Sequence, residues 1–330
     1  MSPTLSVVLP VFAEREDDLR TTLAALGEGL RRSAWEDPEV VVVDDGSPEP
    51  VRLPPVDPAR VRLLRQENRG RFEARRTGIE AAAGDYVLLL DSRVTLDPDG
   101  VAWVADRVAA GEHAWNGHCL MANTESPFAR FWNVLTHAAF ADYLDDPRTT
   151  SFGIEEYDRF PKGTGHFLAP RAWLLEAIAG FSSRYEDSRF SSDDTHLLRA
   201  IAERDRIHIS PRFASRYRNR EALRPFLRHA LHRGTTFFDG FARPGTRFFP
   251  VVVATFPLSL AGVLAAVLRP RLALAGLAAL SGAAGAFATR RRRPAAEVAA
   301  FAALVPPFAV AYALGIWRGA WLTLRRGATP

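Results

Sequence analysis

Two short apolar runs of this chain each end in aspartate. Residues 40–43 are four valines followed by Asp44 and Asp45, and residues 87–90 are followed by Asp91. Uninterrupted apolar runs of this length are typical of strands covered on both faces, as in a parallel sheet. Ligands of open α/β sheets bind just beyond the carboxyl ends of such strands. Taken alone, Asp91 could equally open a turn, but two such endings on neighbouring parallel strands predict a polar ligand across the crevice.

A second group of candidate residues occurs later in the chain. Residues 162–167 contain Gly163 and Gly165, and this spacing lets the backbone approach a ligand closely. Asp193 and Asp194 stand just before a helix predicted over Thr195–Arg204. Because acidic residues at a helix start also serve as simple caps, each worth about 1 kcal/mol, their position alone leaves both interpretations open.

The elements that must position these residues alternate along the first part of the chain. This alternation predicts an α/β fold with a parallel sheet. Strands are predicted at Leu5–Leu9 (ended by Pro10), Val40–Val43, Val61–Leu64 and Val87–Leu90, and helices at Arg15–Leu30 and Phe72–Ala83. Further on, helices are predicted at Val101–Ala110, Phe128–Tyr143 and Trp173–Ala179, and a strand at Trp115–Met121.

The composition indicates a globular protein, with 24% charged and 47% hydrophobic residues. The single cysteine, Cys119, excludes an intrachain disulfide and a cysteine zinc site. The net charge of +4 is uneven, since arginines gather at 212–247 and at 290–293. The first residues do not resemble a signal peptide, so we expect the N-terminal part in the cytoplasm.

Three stretches without charged residues follow residue 247. They cover Phe248–Leu268, Leu272–Thr289 and Ala299–Trp317, each near the roughly 20 residues that cross a bilayer. We expect two to three transmembrane helices within 248–322, with a buried soluble helical domain as the alternative. Three spans place Arg290–Arg293 inside, as the positive-inside rule prefers, but leave Arg325 and Arg326 outside. Two spans, or a re-entrant first hairpin, remain open.

Several motifs, taken together and in order, resemble family 2 glycosyltransferases of the GT-A fold. The resemblance implies a Rossmann-like nucleotide-diphospho-sugar transferase domain over residues 1–220. Its order and spacing match best over about the first hundred residues. The motifs are Val7–Glu14, Val43–Ser47, Asn68–Gly70 with Ala74–Gly78, Gly84–Asp91, Gly163–Gly165, Gly180–Phe181 and Asp193–Leu197.

The resemblance assigns the first set of residues to the nucleotide-sugar donor. Asp44 or Asp45 would accept a hydrogen bond from the base, because a carboxylate only accepts. Arg75 would lie near the base and diphosphate, and Asp91 would be the first residue of the Asp-X-Asp element, near ribose and metal. Pro10, Phe12 and Glu14 would form the first loop around base and ribose.

The later motifs are assigned to the acceptor side. Asp194, with Asp193 before it, would be the catalytic base that deprotonates the acceptor hydroxyl in an inverting displacement. The segment of Gly163, Thr164, Gly165 and His166 would line the acceptor or its phosphate.

Two departures from the family pattern concern the metal. Arg93 stands where the family has its metal-binding aspartate, and Arg216 precedes Tyr217 where many members have a histidine. One hypothesis is that Arg93, with Arg216, offsets leaving-group charge partly in place of Mg²⁺ or Mn²⁺, because a guanidinium grips a diphosphate through two hydrogen bonds. In the other, Arg93 forms a salt bridge and the metal binds through Asp91 and the diphosphate. A third interpretation is an inactive transferase.

The segment 221–247 resembles the basic juxtamembrane helix that follows the family's catalytic domain. Four arginines and two histidines lie between Arg220 and Arg233, and they suit lipid headgroups or substrate phosphate. Candidate phosphate ligands are Arg228, His229 and Arg233. Because no nucleic-acid fold signature accompanies these residues, we do not expect nucleic acid as a partner.

The sequence therefore predicts a multi-pass membrane protein with a cytoplasmic inverting glycosyltransferase domain. The expected acceptor is a polyprenyl phosphate or a lipid-linked or cell-envelope glycan held at the membrane. The alternatives are a polysaccharide-elongating synthase and a catalytically degenerate, transferase-like scaffold subunit. The sequence names neither the sugar nor the nucleotide.

Overall fold

A computed structural model describes residues 3–327, which divide into two compact units. The sheet unit comprises residues 3–122, 142–182 and 193–218. The helical unit comprises residues 123–141, 183–192 and 219–327. Two pieces of the range 1–220, residues 123–141 and 183–192, thus belong to the helical unit.

A mixed nine-stranded sheet forms the centre of the sheet unit. Its hydrogen-bonded order is β3-β2-β1-β4-β8-β6-β9-β5, and β7 also pairs with β9. The strands are β1 (Thr4–Val11), β2 (Glu36–Asp45), β3 (Arg60–Gln66), β4 (Tyr86–Leu90), β5 (Val94–Leu96), β6 (Ala114–Met121), β7 (Thr150–Phe152), β8 (His166–Pro170) and β9 (Ile207–Tyr217).

The first four strands run parallel, as the alternation predicts. The prediction that the strands ending in Asp45 and Asp91 are neighbours is wrong, because β1 lies between β2 and β4. The first strand of the chain occupies the middle of the parallel part, and periodicity along a sequence contains no information on that order. The two acidic ends are therefore one strand further apart than expected.

Helices cover both faces of the sheet, which explains the unbroken apolar strands. Leucines of α1 and valines of α3 pack on one face, and apolar residues of α2, α6 and α7 pack on the other. The helices of this unit are α1 (Glu16–Arg32), α2 (Arg71–Ala81), α3 (Pro98–Ala109), α5 (Ala141–Leu144), α6 (Arg171–Ala179) and α7 (Asp193–Arg204).

Two boundaries differ from the predictions for physical reasons. Pro10 does not end the first strand, which continues to Val11. The strand β4 pairs with β1 only as far as Val8. The missing N–H group of Pro10 therefore breaks no hydrogen bond between β1 and β4. The helix predicted over Phe128–Tyr143 is interrupted at Phe140, whose ψ of 36° departs from helical geometry.

The described part of the helical unit contains five α-helices, four of which contribute to an aromatic cluster. Phe131, Phe226 and Phe301 lie at its centre and are almost completely buried. The three uncharged stretches are confirmed as helices long and apolar enough to cross a membrane. The helices are α4 (Pro127–Ala139), α8 (Leu223–Phe241), α9 (Phe249–Leu268), α10 (Pro270–Arg290) and α11 (Ala295–Gly327).

Candidate active site

A buried arginine gathers three aspartates at one end of the sheet. The Arg75 side chain is 1% exposed, and its Nη2 donates to Asp91 Oδ1 over 2.6 Å. Its Nη1 donates to Asp193 and, over 3.3 Å, to Asp194 Oδ1. The strand β4 delivers Asp91, and the first turn of α7 delivers Asp193 and Asp194. All three predicted aspartates therefore share one guanidinium.

A second arginine, Arg71, joins this group from the preceding turn of α2. Its Nη2 lies 3.0 Å from Asp193 Oδ1, and its side chain is 44% exposed. The negative charge of Asp193 raises the pKa of Arg71. Arg71 and Arg75 are four residues apart, so both project from the same face of the helix. We call Arg71, Arg75, Asp91, Asp193 and Asp194 the arginine–aspartate cluster.

The two adjacent aspartates of α7 differ in access. Asp193 is 2% exposed and is held by both arginines. Asp194 is 27% exposed, and its Oδ1 accepts hydrogen bonds from Thr164 Oγ1 and from Arg75. Both residues lie in the first helical turn, not before it as predicted. Of these two aspartates, only Asp194 combines solvent access with a fixed orientation.

The glycine-containing turn before β8 packs directly against this cluster. The Gly165 carbonyl accepts from Asp91 N over 2.9 Å, and a Cβ on Gly165 would lie 2.7 Å from Asp91 Oδ2. Gly163 N donates to Asn116 Oδ1 over 3.1 Å. The turn needs glycine at 165 because the Asp91 carboxylate occupies the space that a side chain would fill.

The cluster carries an excess of negative charge. Two arginines and three aspartates give a formal charge of −1 when all are ionised. Carboxylates that share one guanidinium repel each other, and a nearby cation stabilises such an arrangement. The cluster therefore has no spare positive charge for an anionic ligand.

Arg93, the departure from the Asp-X-Asp pattern, forms a salt bridge. Its Nε lies 2.8 Å from Glu14 Oε2, and the two side chains are 27% and 16% exposed. Burial disfavours the charged form, but the Glu14 carboxylate more than offsets this and raises the pKa of Arg93. The pair is formally neutral and brings together two predicted donor residues.

The aspartates that end β2 lie in different surroundings. Asp45 accepts from Gln66 Nε2 and from the backbone N–H groups of Arg69 and Gly70, which precede α2. Asp44 Oδ1 accepts from Ser47 N over 2.8 Å. Within residues 3–327, the buried Asp44 Oδ2 has no hydrogen-bond partner, but it forms an ion pair with Arg65 Nε, 3.6 Å away. Asp45 thus holds the start of α2, whereas Asp44 faces a cation.

The loop after β1 presents the predicted base-binding residues. Pro10 is paired with Val43 of β2, and the Phe12 ring is 48% exposed. Ala13 has a φ of 48°, a backbone conformation that residues other than glycine rarely adopt. The N–H of Ala13 donates to Ser47 Oγ. This loop therefore crosses towards the residues that follow β2.

His166 and Arg216 lie in contrasting environments. His166 is 4% exposed, and its Nδ1 lies 2.9 Å from Ser215 Oγ. Burial and the nearby His118 lower the pKa of His166 to about 3, so the ring is neutral at physiological pH. Arg216 of β9 is exposed, at the position paired with Thr95.

A protein-family comparison matches about half of the chain. The family described as "Glycosyl transferase family 2" matches residues 6–174. The chain belongs to glycosyl transferase family 2. The sequence resemblance and the GT-A fold are thereby confirmed for this domain.

Curated relatives of this family-2 chain match a segment of about one hundred residues. The putative glycosyltransferase EpsH of Bacillus subtilis is 31% identical over 102 residues, which are 30% of this chain and 28% of EpsH. The uncharacterized glycosyltransferase YibD of Escherichia coli is 36% identical over 92 residues, 27% of this chain and 25% of YibD. The match thus spans little more than a quarter of either relative.

A solved structure resembles the family-2 chain over nearly its whole length. It is the mannosyltransferase PcManGT from Pyrobaculum calidifontis, in complex with GDP-Man and Mn²⁺. The TM-score is 0.56 at 18% identity, with 97% of this chain and 88% of that chain covered. At this identity the likeness concerns the fold.

The side chains of this family-2 domain fit a divalent metal only in part. No group of three or more histidine, cysteine or acidic ligands occurs among residues 3–327. Asp91 Oδ1 is bonded to Arg75, so a metal at this residue would be coordinated by Oδ2. The negative charge of the cluster suits a cation, but the remaining ligands of a metal would have to come from a bound diphosphate.

Reasoning from the sequence missed Arg71 and Asn116. Arg71 had a detectable signal, since it precedes Arg75 by one helical turn. Asn116 bonds Gly163 from the middle of β6, and nothing in the pattern around it predicts this contact.

The predicted phosphate ligands of the basic segment lie on α8, in the helical unit. The His229 ring lies 5.1 Å from the Trp132 ring, and the Arg233 guanidinium lies 5.9 Å from it. Arg228 is exposed on the same helix.

Proposed function

We propose that this chain is a membrane-bound, inverting glycosyltransferase that moves a sugar from a nucleotide-sugar donor to an acceptor held at the membrane. One observation supports this most: the buried Arg75 fixes three aspartates beyond the end of β4, where ligands of α/β sheets bind. Family membership gives that arrangement its chemical context.

Asp194 is the proposed base because it is the accessible member of the aspartate pair. Its carboxylate removes the proton of the acceptor hydroxyl while that oxygen attacks the anomeric carbon. The bond from that carbon to the diphosphate oxygen breaks, and the nucleotide diphosphate leaves with the electron pair. Attack opposite the leaving group inverts the configuration. Asp193, buried between Arg71 and Arg75, is the proposed positioning residue for Asp194.

The donor binds, in this proposal, across the ends of β1, β2 and β4. Asp44 Oδ2 accepts a hydrogen bond from the base, since it makes no hydrogen bond within residues 3–327 and its ion-pair partner, Arg65 Nε, lies 3.6 Å away. The exposed Phe12 ring lies in the loop that faces the base. The GDP-Man in the PcManGT complex supports a nucleotide-sugar as donor.

Charge balance favours the metal-dependent form of this reaction over an arginine substitute. Glu14 neutralises Arg93, and the cluster is formally negative, so neither provides charge for a diphosphate. Asp91 is the residue that would hold Mg²⁺ or Mn²⁺, and the bound metal would supply positive charge to stabilise the leaving group. The Mn²⁺ in the PcManGT complex supports this assignment.

The proposed location is the cell membrane, with the sheet unit in the cytoplasm. Three helices that are long and apolar enough to cross a membrane support this location. A transferase attached to the membrane by these helices suits a polyprenyl phosphate or a lipid-linked or cell-envelope glycan as acceptor.

The deciding experiment compares Asp194→Asn with Asp106→Asn, an exposed aspartate of α3. Sugar transfer by membranes and donor binding by the purified protein are both measured. We expect Asp194→Asn to lower turnover at least about 100-fold, the range of one acid–base group, while donor affinity is retained. Unchanged transfer in Asp194→Asn would contradict the proposed base and favour the scaffold interpretation.

A further inference from the structure

The last helix, α11, raises the question of where the C-terminus lies. It is long and apolar enough to cross a membrane. Three spans would place its end opposite the sheet unit. The contacts of α11 within the helical unit are inconsistent with such a crossing.

Two segments that contact α11 must lie on the same side of the membrane as the sheet unit. Residues 123–141 leave the sheet unit and return to it, as do residues 183–192. The helix α4 in the first segment has 13 residues, about 20 Å of helix against a hydrocarbon core of roughly 30 Å. Neither segment can cross and return.

The helix α8 lies on this side as well, because it is bonded to residues 183–192. The buried Asp239 accepts from Ser183 Oγ, Arg184 N and Ser192 N. Tyr185 Oη donates to the Thr235 carbonyl over 2.7 Å.

The first turn of α11 is attached to α4. Asn133 Nδ2 donates to Glu297 Oε1 over 2.9 Å, and the rings of Phe131 and Phe301 lie 5.4 Å apart. The start of α11 is therefore on the side of the sheet unit.

The last turns of α11 are attached to the same group of segments. Arg326 donates to the Ser183 carbonyl, and the Arg318 guanidinium lies 4.0 Å from the Phe190 ring. Thr235 Oγ1 donates to the Gly315 carbonyl over 3.1 Å. Glu297 and Arg326 are about 44 Å apart along the helix, yet both ends bind segments on one side.

The exposed face of α11 has the composition of a helix that lies in the membrane surface. Four large apolar side chains recur at intervals of four, seven and three residues, so they form one stripe. One of them is a tryptophan, which favours the membrane–water interface. Trp317 lies on the same side of the helix, but its Nε1 donates to Ser259 Oγ of α9 over 2.9 Å. Arg326, by contrast, points away from the stripe by helical periodicity. The stripe consists of Val310, Leu314, Trp321 and Leu324, each 49–73% exposed.

The helices α9 and α10 have a different character. They are exposed along most of their length, with Leu258 at 71%, Val267 at 73% and Leu274 at 67%. Each has 20 or 21 residues, the length of one crossing.

We propose that α9 and α10 form the membrane-crossing hairpin, whereas α11 lies in the headgroup plane with its apolar stripe in the lipid. The C-terminus then lies on the side of the sheet unit, with Arg290–Arg293, Arg325 and Arg326. This arrangement removes the conflict with the positive-inside rule that three spans create. It rests on the proposed membrane location, but not on transferase activity.

Cysteine labelling in intact cells tests this topology. In a Cys119→Ser background, single cysteines replace Glu49 in the sheet unit, Arg271 at the hairpin turn and Arg325 near the end of α11, all exposed. A membrane-impermeant maleimide is applied before and after the membrane is opened. We expect Arg271→Cys to be labelled in intact cells, and Glu49→Cys and Arg325→Cys only after opening.

Three outcomes would overturn the proposal. Labelling of Arg325→Cys together with Arg271→Cys in intact cells would indicate a third span. Labelling of all three positions alike would mean that the hairpin does not cross or that the protein is not in the membrane. Labelling of Arg325→Cys alone in intact cells would place the end of α11 outside. Because no sugar transfer is measured, an inactive protein would leave the result readable.

Discussion

The arginine–aspartate cluster shows how one buried side chain can organise a site. The partners of Arg75 lie 16, 118 and 119 residues away along the chain, so no sequence window contains the arrangement. The identities of the aspartates were predictable from the ends of strands and helices. That a single guanidinium joins them was not, because it depends on how β4 and α7 meet.

The first prediction concerns Arg75 itself. Arg75→Lys keeps the charge but cannot reach three carboxylates, since an ammonium lacks the planar fork of a guanidinium. We expect a loss of stability of about 3–5 kcal/mol, as for a broken buried ion pair, and at least a tenfold lower turnover. Thermal unfolding and sugar transfer are the measurements.

Arg76→Lys provides the matched control. Arg76 is the next residue of α2, is exposed and pairs with Glu80 one turn further along the same helix. Equal effects of the two substitutions would contradict the role assigned to Arg75.

The second prediction concerns the metal. Purified protein is melted with UDP, GDP, dTDP or CDP, each with Mn²⁺ and with EDTA. We expect one nucleotide to raise the melting temperature with Mn²⁺ and much less with EDTA, because Arg93 is neutralised by Glu14. Equal stabilisation in EDTA would favour the hypothesis that Arg93 replaces the metal. In that case Arg93→Ala would abolish the stabilisation by the nucleotide.

The third prediction concerns pH and His166. Burial lowers the pKa of His166 to about 3, whereas the unfolded chain titrates near its ordinary value of 6.5. Below that value the unfolded state binds the proton and the folded state does not, so stability falls as pH falls towards 3. The slope from this group is at most about 1.4 kcal/mol per pH unit. His166→Gln should flatten the fall of melting temperature between pH 6.5 and 4, and an unchanged slope would contradict it.

At the level of elements, the alternation of strands and helices was readable and the strand order was not. Apolar runs located β2 and β4 because both faces of the sheet are covered. That β1 separates them follows from the packing of α1 and α2 on opposite faces, which is a property of the assembled sheet. The donor site accordingly extends over three strand ends.

The fourth prediction uses the close approach of α8 and α11. A Cβ on Gly234 would lie 3.0 Å from Gly315 Cα and would also meet the Tyr312 backbone. We expect Gly234→Ala to cost about 1–3 kcal/mol, as in other overpacked sites. Gly262→Ala on α9 is the control, because no atom lies within 4 Å of that Cβ. Similar melting temperatures of both variants in detergent would argue against the packing of α8 on α11.

At the level of the whole molecule, the proposed two-span topology bears on the type of product. A synthase that elongates a polymer normally threads it through more membrane helices than this chain offers between residues 3 and 327. We expect membranes containing the protein to add a single sugar to a lipid acceptor. Mass analysis of the products decides this, and a ladder of longer products would favour the synthase alternative.

The sharing of Arg75 by three aspartates also has an evolutionary consequence. Loss of any one aspartate leaves a hydrogen-bonding N–H group of the buried guanidinium without its acceptor, and loss of the arginine leaves three carboxylates crowded together. A single substitution at any of these residues is therefore harmful. A different functional set of residues requires several substitutions at the same time. Selection would hold the four residues as one inherited block, even while the surrounding loops diverge towards other sugars.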